Sequence, residues 1–319
     1  MIEVRRYTEG DAQAWNAFVE RARNATFLFD RRYMDYHSDR FADHSLLVYR
    51  RGRLLALFPA NSSGRVVYSH QGLTYGGLVT DQQATTALVQ DIFRAINDYY
   101  RKERFERVVY KALPWIYHDY PSEEALYALT SVCQAHLKSR AVGTAMPLHG
   151  HLPFTEARKS GLRKARRAGL QVAQCNDIET FWHILDDNLW RSHGAHPVHT
   201  LEELCLLAQR FPQNIALYMA TLDNVPVGGV LLYLSRQVVH TQYISATEQG
   251  KRVGAIDAIF EHLLSEDYAQ RFFDFGTSVI GSTCELNEPL IFQKEGFGGR
   301  AVCYDVYEWE LWKLRNLGN

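Results

Sequence analysis

Ile215-Ala-Leu-Tyr-Met-Ala-Thr221, the pair Asp223-Asn224, Val227-Gly-Gly-Val-Leu-Leu-Tyr-Leu234 and Val239-His-Thr-Gln-Tyr-Ile-Ser245 succeed one another in that order, and their reading decides the fold. Each run is apolar, of strand length and rich in residues that suit a pleated surface, so three consecutive strands are predicted. Asp and Asn tolerate the left-handed backbone of a tight hairpin, which makes the first two antiparallel. Next comes Ala246-Thr-Glu-Gln-Gly-Lys-Arg-Val-Gly-Ala255, basic and glycine-marked, and then a helical pattern over 253–268. A strand at 272–275, a short helix at 288–295 and a strand at 301–309 complete the series. Upstream, 170–173 reads as a strand and 178–190 as a helix. A further helix over 200–210 opens with Thr200 and has Glu203 three residues on, a capping-box pattern.

The first half repeats this order. A strand at 2–7 precedes a helix at 11–22 with Trp15, Phe18 and Val19 on one face, and a second helix at 31–41. Strands at 46–49 and 54–58 flank Arg51-Gly-Arg53, a hairpin signal. A strand at 66–70 leads into Gln71-Gly-Leu-Thr-Tyr-Gly-Gly77, then a long helix at 85–102, a strand at 107–111 and a helix at 122–134 capped by Ser122. Extended chain runs on through Met146. The segment His149-Gly-His-Leu-Pro153 is marked by Gly and Pro, so the expected domains are 1–150 and 151–319. The expected class is α/β in layers, each half a mixed, mainly antiparallel twisted sheet flanked by helices.

A formal net charge of −1 argues against a DNA-binding protein held by overall charge, and leaves any polyanion contact to a local patch. The five cysteines are odd in number and form no CxxC pair, which speaks against a zinc knuckle or a disulfide framework and for the reduced cytoplasm. No apolar run approaches the roughly 18 residues of a membrane span.

Strand, two helices, three antiparallel strands, helix, strand, helix, strand is the order of the GNAT fold, and the chain resembles two such folds in tandem. Particular segments are similar to the Fem-type branch, the relatives of peptidoglycan interpeptide-bridge aminoacyltransferases. They are His70-Gln-Gly-Leu-Thr-Tyr-Gly-Gly-Leu-Val79, Arg158-Lys-Ser-Gly-Leu-Arg-Lys-Ala165, Phe273-Asp-Phe-Gly-Thr-Ser278 and Phe292-Gln-Lys-Glu-Gly-Phe-Gly298, with Asn287. The resemblance implies transfer of an acyl or aminoacyl group to an amine, in the second half. It implies a donor held where the fourth and fifth strands part, either acetyl-CoA or another acyl-CoA, or alternatively an aminoacyl-tRNA. The acceptor would be a small molecule or a cell-wall or surface-polysaccharide precursor. A GNAT-like scaffold that binds without turnover is the third reading. No coiled-coil arm for tRNA is visible, which leans toward CoA.

In a GNAT fold a pyrophosphate sits on the loop entering the helix after the fourth strand, which maps here to Gln249, Gly250, Lys251, Arg252, Val253 and Gly254. The usual signature is Arg/Gln-x-x-Gly-x-Gly/Ala; counted back from Gly254, Lys251 falls in the basic position and Ile256 in the last, off pattern. A glycine-marked turn with a solvated basic pair is the alternative.

Asp274 alternates out of an apolar strand as a general base or as a buried hydrogen-bond acceptor. His240 is a catalytic group or a core histidine; strand alternation places it with Gln242 and puts Tyr243 on the other face. Lys294 could stabilise an oxyanion or serve as a helix-terminal charge. Ser278 and Asn287 are hydrogen-bonding candidates on the same rim. In the basic run from Arg158 to Arg167 no acid at i+4 neutralises the charge; in Fem-type relatives a basic residue of this helix meets the acceptor's diphosphate, and Arg163 or Lys159 would match, with a solvated helix face as the alternative. Gln71 and Tyr75 are expected to line an acceptor groove. His193, His196 and His199 do not have the spacing of a standard zinc site, so no metal is expected.

Overall fold

The computed structural model describes residues 1–281 and 284–316, without the side chains of His193, Arg315 and Asn316. The backbone divides into two units, one of residues 1–141 together with the chain from 303 on, the other of residues 142–302.

The first unit contains β1 (Ile2–Arg6), α1 (Ala12–Arg21), α2 (Arg31–Met34), β2 (Ala42–Asp43), β3 (Leu46–Arg50), β4 (Arg53–Phe58), β5 (Asn61–Ser63), β6 (Val66–Tyr68), β7 (Val79–Thr80), α3 (Thr86–Lys102), β8 (Arg107–Lys111) and α4 (Glu124–Ser131), and it begins β9 (His136–Pro147). One sheet has the order β1-β3-β4-β7. In another, β6 runs parallel to β8, pairing Val66 with Arg107, Val67 with Val108 and Tyr68 with Val109. On α3, Val89, Ile92, Phe93, Ile96 and Tyr100 share the buried face, the spacing of an amphipathic helix. Each such side chain stabilises the fold by about 1.5–3 kcal/mol of apolar burial. Two helices differ from expectation. The predicted 31–41 helix stops at Met34 and continues as a 3₁₀ turn. Helix α4 starts at Glu124 with Glu123 as cap, so Ser122 lies one position too early to cap it.

The second unit continues β9 and adds α5 (Glu156–Ala168), β10 (Gln171–Cys175), α6 (Ile178–His193), α7 (Leu201–Arg210), β11 (Ile215–Leu222), β12 (Val225–Leu234), β13 (Val238–Ala246), α8 (Glu248–Val253), α9 (Ala255–Ser265), β14 (Phe272–Thr277) and α10 (Glu288–Gly296). The sheet order is β10-β11-β12-β13-β14-β9. Every neighbouring pair is antiparallel except β13 and β14. Asp223 and Asn224 both have positive φ, as a two-residue hairpin turn requires, and Thr200 and Glu203 form the expected capping box. Ile256, Ile259, Phe260 and Leu263 of α9 pack on one sheet face with Val239, Phe273, Phe275 and Phe297. The predicted continuous helix over 253–268 is broken at Gly254, whose φ of +82° separates α8 from α9.

The chain leaves the first unit between Ala141 and Val142, inside β9, so His149–Pro153 is a connection within the second unit. It returns between Val302 and Cys303, inside β15 (Arg300–Glu310), and Val306 to Glu310 pair with β8. The strand expected to end the second half therefore completes the sheet of the first unit.

Candidate active site

The parallel ladder between β13 and β14 is short. It pairs Val238 with Phe272, Val239 with Phe273 and His240 with Asp274, and stops there. Both strands run on, β13 to Ala246 and β14 to Thr277. On its other side β14 pairs with β9 through an irregularity between Asp274 and Thr277, where Gly276 takes a φ of +73°. Beyond His240 the two strands no longer exchange ladder bonds, which leaves backbone groups of 241–246 facing a gap.

His240 and Asp274 are the last pair of the ladder, at the mouth of that gap. Asp274 is wholly buried. Its Oδ2 lies 3.0 Å from His240 Nδ1, and its Oδ1 accepts from the Gly276 amide at 2.8 Å. A carboxylate oxygen accepts, so the pair is read with the Nδ1–H of His240 donating to Asp274. Asp274 thus sits as the buried hydrogen-bond acceptor that was the alternative to a general base. The imidazole keeps 12 % of its side-chain surface.

Lys294 reaches the same segment from α10. Its Nζ donates to the carbonyls of Thr277 at 2.6 Å and Gly276 at 3.1 Å. Burial pushes its pKa down to about 8, opposed by the Asp274 charge. A lysine ammonium thus sits in the turn that also carries the His240–Asp274 pair.

Tyr243 differs from its expected placement. A β-bulge pairs Leu231 with Tyr243 but Leu232 with Thr241, leaving Gln242 as the extra residue. Val239 and Ile244 face the α9 core, and so do Phe273 and Phe275. Alternation on either side of the bulge puts His240, Asp274 and Tyr243 together on the opposite face, correcting the separation of His240 from Tyr243. The Tyr243 hydroxyl lies 2.6 Å from His199 Nδ1, and burial raises its pKa. No local pattern marks His199 as its partner, because the contact spans two elements.

Ser278 is not on a rim. It is fully buried, with its amide donating to Val142. Asn287 caps α10, its Oδ1 accepting from the Leu290 amide. Tyr75 belongs to the core of the first unit: its hydroxyl donates to Thr26 Oγ1 and its ring lies against Phe29 and Tyr117. That burial corrects its placement in an open groove. Gln71 is exposed, but its amide oxygen accepts from Asn61 Nδ2 and its carbonyl from Lys111 Nζ.

The turn expected to receive a pyrophosphate is helix α8. Thr247 caps it, accepting from the Gly250 amide. Registered with Gly254 as the last glycine, the segment has Gln249 in the first position of the signature, and only the middle glycine is replaced, by Arg252. Gly250 and Gly254 do permit close approach, but of the chain itself. A Cβ at Gly250 would lie 2.0 Å from the Val227 carbonyl oxygen, and one at Gly254 2.4 Å from that of Gly161. Lys251 Nζ binds Asn188 and Glu248, Arg252 is exposed, and Val253 is half-buried. Gln249 and Glu248 line a cleft of about 780 Å³ with Asn188 and Arg191 of α6.

The basic helix α5 is more neutralised than its sequence suggested. Lys159 pairs with Glu156 at 3.0 Å, Arg163 approaches the same acid at 3.8 Å, Arg166 meets Glu261, and Arg158 meets Asp257 at 2.9 Å. The acids lie upstream on α5, at i−3 of Lys159 and i−7 of Arg163, or on the packed helix α9, and an i+4 search finds neither. His196 pairs with Asp186; the side chain of His193 lies outside the described residues. Among the described residues no group of three or more His, Cys, Asp or Glu is placed to hold a metal, and no helix is long and apolar enough to cross a membrane.

Residues 156–282, which hold this sheet with its parting parallel pair, match the family model for the acetyltransferase (GNAT) domain. The whole chain shares its fold with tandem GNAT proteins. It is similar to the crystal structure of FemX, with 11% identity and a TM-score of 0.69, over 98% of this chain and 99% of that one. It is also similar to a tandem GNAT protein from the clavulanic acid biosynthesis pathway, with 11% identity and a TM-score of 0.54, over 98% and 99%. L-PGS from Bacillus licheniformis is similar at 9% identity and a TM-score of 0.61, over 95% and 92%. No curated protein sequence matches the chain.

Proposed function

We propose that this chain is an N-acyltransferase that passes an acyl group to an amine, with its chemistry at the His240–Asp274 end of the β13–β14 ladder. The observation that carries this reading is the parting of two strands at the pair His240 and Asp274. A donor carbonyl laid in the gap meets unpaired strand backbone on one side. An amine on the Tyr243 face has the His240 Nε2 as its proton acceptor. The amine nitrogen forms a bond to the carbonyl carbon, the bond to the donor's sulfur or oxygen breaks, and His240 moves the proton from the amine to the leaving group. Asp274 fixes the ring, and Lys294 supplies positive charge for the developing oxyanion. No residue is required to form a covalent intermediate.

The acceptor that suits Lys164 and Arg167, exposed on α5, is an amine-bearing anionic precursor of the cell-wall or surface-polysaccharide kind. The gap suits an acyl thioester such as an acyl-CoA, and equally an aminoacyl ester as on tRNA. Transfer is tested with labelled acetyl-CoA and aminoacyl-tRNA against a panel of amine acceptors, comparing the natural chain with His240→Ala. Labelled product from the natural chain alone is expected. Equal product from His240→Ala, or none from either donor, would remove the reading and favour a binding scaffold.

A further inference from the structure

A buried hydroxyl that makes no hydrogen bond costs free energy, because it gives up water and gains no partner. Thr144 on β9, Thr241 on β13 and Ser278 just after β14 carry such groups: each residue is buried, and its side-chain oxygen has no hydrogen-bond partner among the described residues. They differ in what lies beside them. Thr144 stands opposite Phe275 and Gly276, between the pairs Ala145–Asp274 and Gly143–Thr277, where β9 and β14 stay together. Ser278 is held by its backbone, its amide donating to Val142 and its carbonyl accepting from Asn287. Thr241 is the first residue of β13 beyond the His240–Asp274 pair, and so stands on the open side of β14.

The neighbours of Thr241 fix the face it takes. It lies two residues after Val239 and before the extra residue Gln242, so it shares the face on which Val239 packs against α9; its ladder partner Leu232 packs there too. On β14 the residue after Asp274 is Phe275, part of the same core. Thr241 therefore sets a hydroxyl among apolar side chains at the edge where its strand loses a neighbour. The turn at Gly276 comes in beside it: a Cβ there would lie 3.9 Å from the Thr241 carbonyl oxygen and 3.3 Å from His240 Cε1. Thr241 is thus next to His240 in the chain, with its side chain on the opposite face of the sheet.

A strand edge that has lost its neighbour is matched by a chain carrying amide groups. A hydroxyl both donates and accepts, so Thr241 can serve either end of such an amide. We propose that Thr241 is a donor-binding residue: its hydroxyl, left without a partner by the fold, hydrogen-bonds an amide of the arm that carries the acyl group into the gap, as in a pantetheine thioester. The inference rests on the acyl-transfer reading and deepens it. The arm gains a side-chain contact on the α9 face, while the amine is handled on the face of His240 and Tyr243.

The test is calorimetric titration of the intact chain with acetyl-CoA, together with the melting temperature of the free chain, for Thr241→Val, Thr241→Ser and Thr144→Val. Valine keeps the shape and removes the hydroxyl. In the free chain Thr241→Val should leave Tm unchanged or raise it by about 2–4 °C, since it removes a buried polar group that has no partner. It should weaken acetyl-CoA binding about tenfold, the contribution of one buried hydrogen bond. Thr241→Ser should bind within about threefold of the natural chain, and Thr144→Val, on the closed side of β14, should bind as the natural chain does. A lower Tm or a failure to fold in Thr241→Val would show that the hydroxyl already serves the fold, and would overturn the inference. So would unchanged affinity in Thr241→Val, an equal loss in Thr241→Ser or Thr144→Val, or no binding of acetyl-CoA by the natural chain. None of these measurements needs turnover: a chain that loses affinity in Thr241→Val yet transfers nothing refutes the acyl-transfer reading alone, and an active chain indifferent to Thr241→Val refutes this inference alone.

Discussion

Both units carry a short parallel ladder of three residue pairs, β6 with β8 and β13 with β14, and they differ in how the chain continues beyond the third pair. In the first unit the last pair is Tyr68 and Val109, and the chain beyond it is stitched together. The Ser69 amide donates to Val109, the Lys111 amide to Ser69 Oγ, and the Gly76 amide to the Lys111 carbonyl. Lys111 Nζ then holds the carbonyls of Gln71 and Leu73. In the second unit the last pair is His240 and Asp274, and the strands part. Lys294 also grips two carbonyls, but of the turn on one side of the gap. One architecture thus ends in a stitched closure in the first unit and in the proposed site in the second, and in the first a glycine-rich segment fills the space beyond the ladder.

The largest expected effect separates these two ends. His240→Ala should lower kcat by about 10²–10⁴-fold, the usual contribution of a general base, with little change in Tm. Tyr68→Phe, at the matching place in the first unit, should leave kcat unchanged; a comparable loss there would break the comparison. Next is the pH response. Below about pH 8 Lys294 is charged, and above it the ammonium is lost, so the natural chain should show an alkaline fall in rate near pH 8. Lys294→Arg keeps its charge at high pH and should move that limb upward; an unmoved limb would remove Lys294 from the chemistry.

Lys111, also pushed down to about 8 by burial, should affect stability instead. Between pH 8 and its ordinary 10.5 the unfolded chain binds more protons at this site than the folded one. Its contribution to stability therefore rises with pH across that window and is lost as pH falls through 8. Denaturant titrations should show this slope in the natural chain and a flatter one in Lys111→Met, with turnover per folded molecule retained. The smallest effect is Tyr75→Phe. Losing one buried hydrogen bond to Thr26 should cost about 1 kcal/mol, with KM for the acceptor unchanged; a raised KM would return Tyr75 to the site.

Features set by neighbouring residues were legible in the sequence. Asp223-Asn224 makes its hairpin and Thr200 with Glu203 its capping box, because turn and cap chemistry depend on a few adjacent positions. Asp274, His240 and Lys294 were legible as a group, since their types and places around one strand suggested chemistry, but their roles were not. That Asp274 is buried behind His240 depends on the ladder register. The side of the sheet on which Tyr243 lies depends on one extra residue at Gln242, which simple alternation does not contain. Tyr75, among glycines and polar residues, reads as a loop residue, and only the packing of Phe29 and Tyr117 around it shows otherwise. The neutralising acids of α5 were missed because two of them come from α9, about a hundred residues on.

The return of β15 has a consequence in time. Val108 pairs with Trp309, whose indole is buried in the first unit's core beside Tyr110 and Phe93. As the chain leaves the ribosome, β8 therefore waits for a partner made roughly 200 residues later, on the order of 10–40 s at ordinary elongation rates. During that interval Val108, Val109 and Tyr110 form an open apolar edge, the kind of surface on which nascent chains pair wrongly or are met by chaperones. The first unit is made first and finished last.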